Sequence, residues 1–129
     1  MQKLTDMAEN AKPKILVAED TESNYLLVSY ILRNDYELVW AHDGVEAIEK
    51  YQQEKPDLIL MDVRMPRLGG LETTAQIREL DKTTPIIALT AFAFDSDRAK
   101  TIEAGCNDFI AKPISAAVLK EIVKKHLTP

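Results

Sequence analysis

Glu19 and Asp20 close the run "KILVAED", Asp62 closes "DLILMD", Thr90 falls at the end of "TPIIALTA" and Lys112 at the end of "DFIAKP". Taken singly, each has a structural explanation. A carboxylate after a strand caps the next helix, a β-branched residue suits a strand end, and a lysine before a proline is solvated. Taken together they form one chemical set. Three carboxylates crowded together repel unless a cation relieves them. A hard divalent ion such as Mg²⁺ does so with oxygen ligands from carboxylates, phosphate and water. A lysine and a threonine hydroxyl beside it suit phosphate oxygens. The set points to phosphoryl transfer with a carboxylate as nucleophile.

The elements that must position these residues follow from period and punctuation. "ESNYLLVSYILR" places Tyr25, Leu26, Val28, Ile31 and Leu32 at helical spacing after the first strand. "YELVWAHDG" is a second strand, and "DGVEAIEKYQQ" a helix in which Asp43 and Glu46 have capping-box spacing. "DLILMD", "TPIIALTA" and "DFIAKP" are further strands, alternating with helices over "GLETTAQIREL", "SDRAKTIEAG" and "SAAVLKEIVKKHL". Gly105 stops the fourth helix and Ser115 caps the fifth. Five strand–helix units of this kind build a parallel sheet covered on both faces, an α/β fold. "ILVA", "LILM" and "IIAL" are continuously apolar, as doubly buried strands should be. "ELVWA", flanked by Glu37 and His42, reads as more peripheral. In an open parallel sheet ligands bind beyond the carboxyl ends of the strands, which is where the five chemical residues fall.

A chain of 129 residues is long enough for one domain with a real core. Residues 1–12 show no period and read as a disordered lead-in or linker before a domain over 13–127. The net charge of −5 argues against direct nucleic-acid binding. No apolar run reaches the roughly 18 residues of a membrane span, and no leader is visible. The single cysteine, Cys106, fits a reducing compartment and a structural role. The expected location is cytoplasmic, including the cytoplasmic part of a membrane-anchored sensor.

Glu19–Asp20, "LMDVRMPRLGG", "ALTA" and "AKP" resemble, in order and spacing, the signature of response-regulator receiver domains of two-component signalling. The resemblance spans about Lys14 to Leu127. It implies a flavodoxin-like, doubly wound five-stranded parallel sheet in the order 2-1-3-4-5 with five helices. It implies that Asp62 accepts a phosphoryl group from a phosphohistidine on a histidine kinase or histidine phosphotransfer domain. The domain would catalyse its own phosphorylation and dephosphorylation. Asp20 would bind Mg²⁺ directly and Glu19 through water, with an Asp62 oxygen and the Arg64 main-chain carbonyl completing the protein ligands. Lys112 would pair with Asp62 and later with its phosphate. Thr90 would be the switch hydroxyl, Phe109 the aromatic residue that turns inward on activation to signal to a downstream protein, and Lys112–Pro113 a cis peptide. Pro66, Gly69 and Gly70 shape the loop beside Asp62. Gly69 stands where many receivers have Asp or Asn, and Arg64 and Phe92 occupy positions that tune phosphoryl lifetime.

Within that family, "EDTESNYLLVSYIL", "MDVRMPRLGGLETTAQIRE" and "ALTAFAF" look most like receivers of hybrid sensor histidine kinases. A stand-alone single-domain response regulator is the alternative. An Asp-nucleophile phosphatase is disfavoured because Arg64 stands where a second carboxylate would act as general acid. A flavin-binding module is disfavoured because "AEDTES" is acidic and lacks glycine. Trp40 reads as packing, too far from the strand-end acids to sense them, and His42 and His126 read as solvated.

Overall fold

The computed structural model describes residues 12–91 and 95–128, with side chains given except over 95–97. The elements are β1 (Lys14–Ala18), α1 (Glu22–Leu32), β2 (Glu37–Ala41), α2 (Gly44–Glu54), β3 (Leu58–Asp62), α3 (Gly70–Leu80), β4 (Ile86–Thr90), α4 (Asp95–Ala104), β5 (Asp108–Ala111) and α5 (Ala116–Leu127). The strands form one parallel sheet in the order β2-β1-β3-β4-β5. This is the doubly wound arrangement expected above. The lead-in over 1–12 lies, but for Lys12, outside the described residues, as does Phe92.

Alternation along the central strands divides the core in two. Ile15, Val17, Leu58, Leu60, Ile87 and Leu89 face Val28 and Leu32 of α1 and Leu119 and Val123 of α5. Leu16, Ala18, Ile59, Met61, Ile86 and Ala88 face Ala47 of α2, Ile77 of α3 and Cys106. Strands β3 and β4 are buried at every position, whereas β2 is a sheet edge and is only partly covered. Peripheral β2 is thus what Glu37 and His42 indicated.

The helix ends follow the expected chemistry. Asp43 Oδ1 accepts from Glu46 N at 2.9 Å, Ser115 Oγ accepts from Val118 N at 3.4 Å, and Gly105 follows α4 with φ +114°. Three expectations need correction. Glu46 does not close a capping box onto Asp43 but meets His42 Nδ1 at 3.0 Å. Leu26 is 54% exposed, because it lies on the far side of α1 from Val28 and Leu32. His126 is mostly buried and bonds Asp108 Oδ2 at 3.0 Å, because α5 turns it back over β5.

Candidate functional site

The sheet ladder continues past the strand ends and fixes the residues that follow them. Glu19 N donates to Ala41 O at 2.9 Å, Val63 N to Leu89 O at 3.0 Å and Lys112 N to Thr90 O at 2.7 Å. Glu19, Asp62, Thr90 and Lys112 are therefore held in mutual register at one edge of the sheet. Asp20 starts the turn into α1 and is exposed, while Glu19, Asp62 and Thr90 are buried. Carboxylate oxygens of Glu19, Asp20 and Asp62 lie within 4.8 Å of one another. With Arg64, Thr90 and Lys112, Asp20 and Asp62 line a cleft of about 250 Å³. A larger cavity of about 470 Å³, lined by Tyr51, Leu80 and Asp81, lies toward the amino ends of β3 and β4, away from these groups.

Lys112 Nζ stands 3.2 Å from Glu19 Oε1 and 3.3 Å from Asp62 Oδ2. Asp62 Oδ1 accepts from Arg64 N at 3.1 Å, and Glu19 Oε2 accepts from Thr21 N at 3.2 Å. One ammonium thus faces two buried acids with a third nearby. Burial, then the hydrogen bond and charge of Asp62, push the Glu19 carboxyl above its ordinary range, against the pull of Lys112 and the Thr21 N–H. The donor set is all oxygen and carries more negative charge than its single lysine offsets. It fits a hard divalent cation.

The loop after Asp62 is packed tightly. Gly70 N donates to Val63 O at 2.9 Å, and a Cβ on Gly70 would lie 2.0 Å from the Asp62 carbonyl oxygen. Arg67, at φ +65°, reaches Asp43 Oδ2 at 2.8 Å, tying this loop to the start of α2. Sequence reading missed that pair, which joins two loops 24 residues apart. The Lys112–Pro113 peptide is cis. Phe109 is half-buried beside Ala88 of β4, on the same side of the sheet as Thr90, with the Arg98 guanidinium 4.6 Å from its ring centroid.

Trp40 is not remote from the acids. Its Nε1–H donates to the main-chain oxygen of Glu19 at 2.8 Å, which corrects the expectation that it only packs. His42 is exposed, as expected, but its ring stacks on Trp40 at 4.0 Å.

Comparison with known proteins gives a consistent picture. A family model described as response regulator receiver domain matches residues 15–124. The chain is 41% identical over 115 residues to the alkaline phosphatase synthesis transcriptional regulatory protein PhoP of Bacillus subtilis, covering 88% of this chain and 48% of that protein. It is 38% identical to hybrid signal transduction histidine kinase I of Dictyostelium discoideum, covering 88% of this chain and 7% of that protein. The polar-differentiation response regulator DivK of Brucella anthropi is 35% identical over 88% of this chain and 94% of its own length. The chain therefore spans about half, or far less, of the first two relatives. Among solved structures, the receiver domain of a sensor histidine kinase from Pseudomonas aeruginosa, with a magnesium ion coordinated in its active site cleft, superposes with a TM-score of 0.84. That structure is 37% identical, with 91% of this chain and 98% of that chain covered.

Proposed function

The chain belongs to the response regulator receiver domain family of two-component signalling, and from that premise we propose that Asp62 is its phosphoacceptor. The observation that carries this is a buried carboxylate fixed at a strand end, with a lysine ammonium 3.3 Å away and two further acids beside it.

A carboxylate oxygen of Asp62 attacks the phosphorus of a phosphohistidine; an O–P bond forms, the N–P bond breaks, and the imidazole leaves with the electron pair. Burial and the Arg64 N–H hold Asp62 in place, so little reorganisation precedes attack. Asp20, Asp62, the Arg64 carbonyl and, through water, Glu19 would hold Mg²⁺. When bound, the ion supplies positive charge for phosphoryl oxygens and neutralises the clustered acids. Lys112 meets the charge of Asp62 before transfer and that of its phosphate afterwards, and the Thr90 hydroxyl donates to a phosphoryl oxygen. Residues 13–127 form the phosphoacceptor unit.

The donor is a histidine kinase or histidine phosphotransfer domain, and the phosphorylated state is read by a downstream protein. Similarity to a hybrid histidine kinase supports placement in such a sensor. Similarity to DivK over 94% of its length supports the second reading, a stand-alone regulator. The flanking coding sequence decides between them. Among the described residues no helix is long and apolar enough to cross a membrane.

The test is treatment with a small phosphodonor and Mg²⁺, followed by intact mass and peptide mapping. One phosphoryl group on Asp62 is expected. Labelling of Asp62→Asn at the wild-type rate would overturn the assignment.

A further inference from the structure

Trp40 lies on edge strand β2, opposite Val17 of β1, and its indole N–H reaches past that pair to the carbonyl of Glu19. That carbonyl belongs to the peptide unit joining Glu19 to Asp20. A peptide unit is planar, so the direction of its oxygen sets where the Asp20 Cα sits and hence where its side chain begins. The indole is itself held in place. The Tyr25 ring stacks on it with centroids 4.3 Å apart and planes 2° from parallel, and the His42 ring lies at 4.0 Å and 30°. Tyr25 N donates to Thr21 O at 3.1 Å, so the aromatic stack is anchored in the first turn of α1, immediately after Asp20. Glu19 is tied on its other sides by Ala41 O and Thr21 N. The Trp40 bond thus restrains the one peptide that links the buried acid to the exposed one.

We propose that Trp40 is a positioning residue for the divalent-cation site, acting through the Glu19–Asp20 peptide without touching the ion. It is also the single tryptophan of the chain, and so reports on that site. The inference rests on the cation reading above and deepens it. It assigns a role to a side chain outside the acidic cluster, and it makes the geometry of that cluster depend on an edge-strand residue.

The experiment is an NMR titration of the ¹⁵N-labelled full chain with Mg²⁺, following two signals. The Arg64 amide, bonded to Asp62, reports cation entry. The Trp40 indole N–H reports the proposed coupling. Both are expected to move with one apparent dissociation constant. Trp40→Phe keeps a ring for Tyr25 and His42 but lacks the donor, and is expected to bind Mg²⁺ about tenfold more weakly by the Arg64 signal. Tyr25→Leu loses the stack but keeps the donor, and should stay much closer to wild type. An Arg64 amide that titrates while the indole stays still would overturn the positioning role, as would unchanged affinity in Trp40→Phe. An Arg64 amide that never moves would overturn the cation site, and this inference with it. If Trp40→Phe does not fold, the wild-type indole titration decides alone.

Discussion

Lys112 faces both buried acids at once, 3.2 Å from Glu19 and 3.3 Å from Asp62, so its removal should separate stability from chemistry. Removing one partner of a fully buried ion pair costs about 3–5 kcal/mol. The Lys112 side chain is 20% exposed, and water reaching the acids lowers the expected cost of Lys112→Met to about 1–3 kcal/mol. That value is read by chemical denaturation without metal. Mg²⁺ should recover much of it, because the cation replaces the lost positive charge, so metal affinity should not fall. The rate of Asp62 labelling by a small phosphodonor should still drop about tenfold, since one charge-assisted contact to the phosphoryl oxygens is gone. A wild-type labelling rate would remove Lys112 from the reaction. Glu19→Gln should act in the opposite sense. It relieves the repulsion between Glu19 and Asp62 in the metal-free protein and weakens Mg²⁺ binding about tenfold, as loss of a group acting through water does. Calorimetric titration distinguishes the two variants.

Loops and helix ends turn the sheet into a site. A methyl on Gly70 would meet the Asp62 carbonyl, which is backbone and cannot rotate aside. Gly70→Ala should cost about 3 kcal/mol and move the Asp62 amide resonance, whereas an exposed helix position would gain from the same change. At the other end of α3, Asp81 accepts from Tyr51 OH at 2.8 Å, Thr83 N at 2.8 Å and Thr84 N at 3.0 Å. Hydrogen bonds from the Thr84 hydroxyl first, then from the Thr84 and Thr83 N–H groups and Tyr51, outweigh burial and hold its carboxyl well below the usual range. A depressed carboxylate contributes stability that is present above its unfolded pKa, about 3.9, and is lost as pH falls toward the folded value. Asp81→Asn should therefore lower the melting temperature by a constant amount between pH 7 and 5, and the gap should close below about pH 4. Tyr51, pushed up to about 12 by burial and by Asp81, stays a donor throughout that range. The apolar runs "ILVA", "LILM" and "IIAL" announced buried strands because each lies between two helical layers, and the acids at their ends followed from parallel topology. Trp40–Glu19 and Arg67–Asp43 could not be read the same way. Each joins loops or strand ends distant in sequence, and the contact depends on β1–β2 register or on a left-handed Arg67 that no local pattern specifies. Leu26 misled because it stands about 100° round the helix from Tyr25 and so falls off the stripe that Tyr25, Val28, Ile31 and Leu32 turn to the core.

The surface formed by α4, β5 and α5 is where a signal from Asp62 would reach a partner. Thr90 ends β4, and Phe109 pairs with Ala88, two residues earlier on the same side of the sheet. Movement of the Thr90 hydroxyl toward a phosphate on Asp62 would open space along that side, into which the Phe109 ring can turn. The Arg98 guanidinium, 4.6 Å from the ring centroid, would oppose that turn by a cation–π contact of about 0.5–2 kcal/mol. Such a switch would be a balance between two states, which a partner with different affinities for them would read. Beryllofluoride, a mimic of the phosphoryl group, should shift amide resonances at Thr90, Phe109 and across the second half of α4. Arg98→Ala should shift the resting spectrum toward the beryllofluoride one, because loss of the contact raises the population of the inward ring by about twofold to thirtyfold. Shifts confined to the loops around Asp62 in both proteins would mean that this receiver holds or relays its phosphate without the Thr90–Phe109 rearrangement.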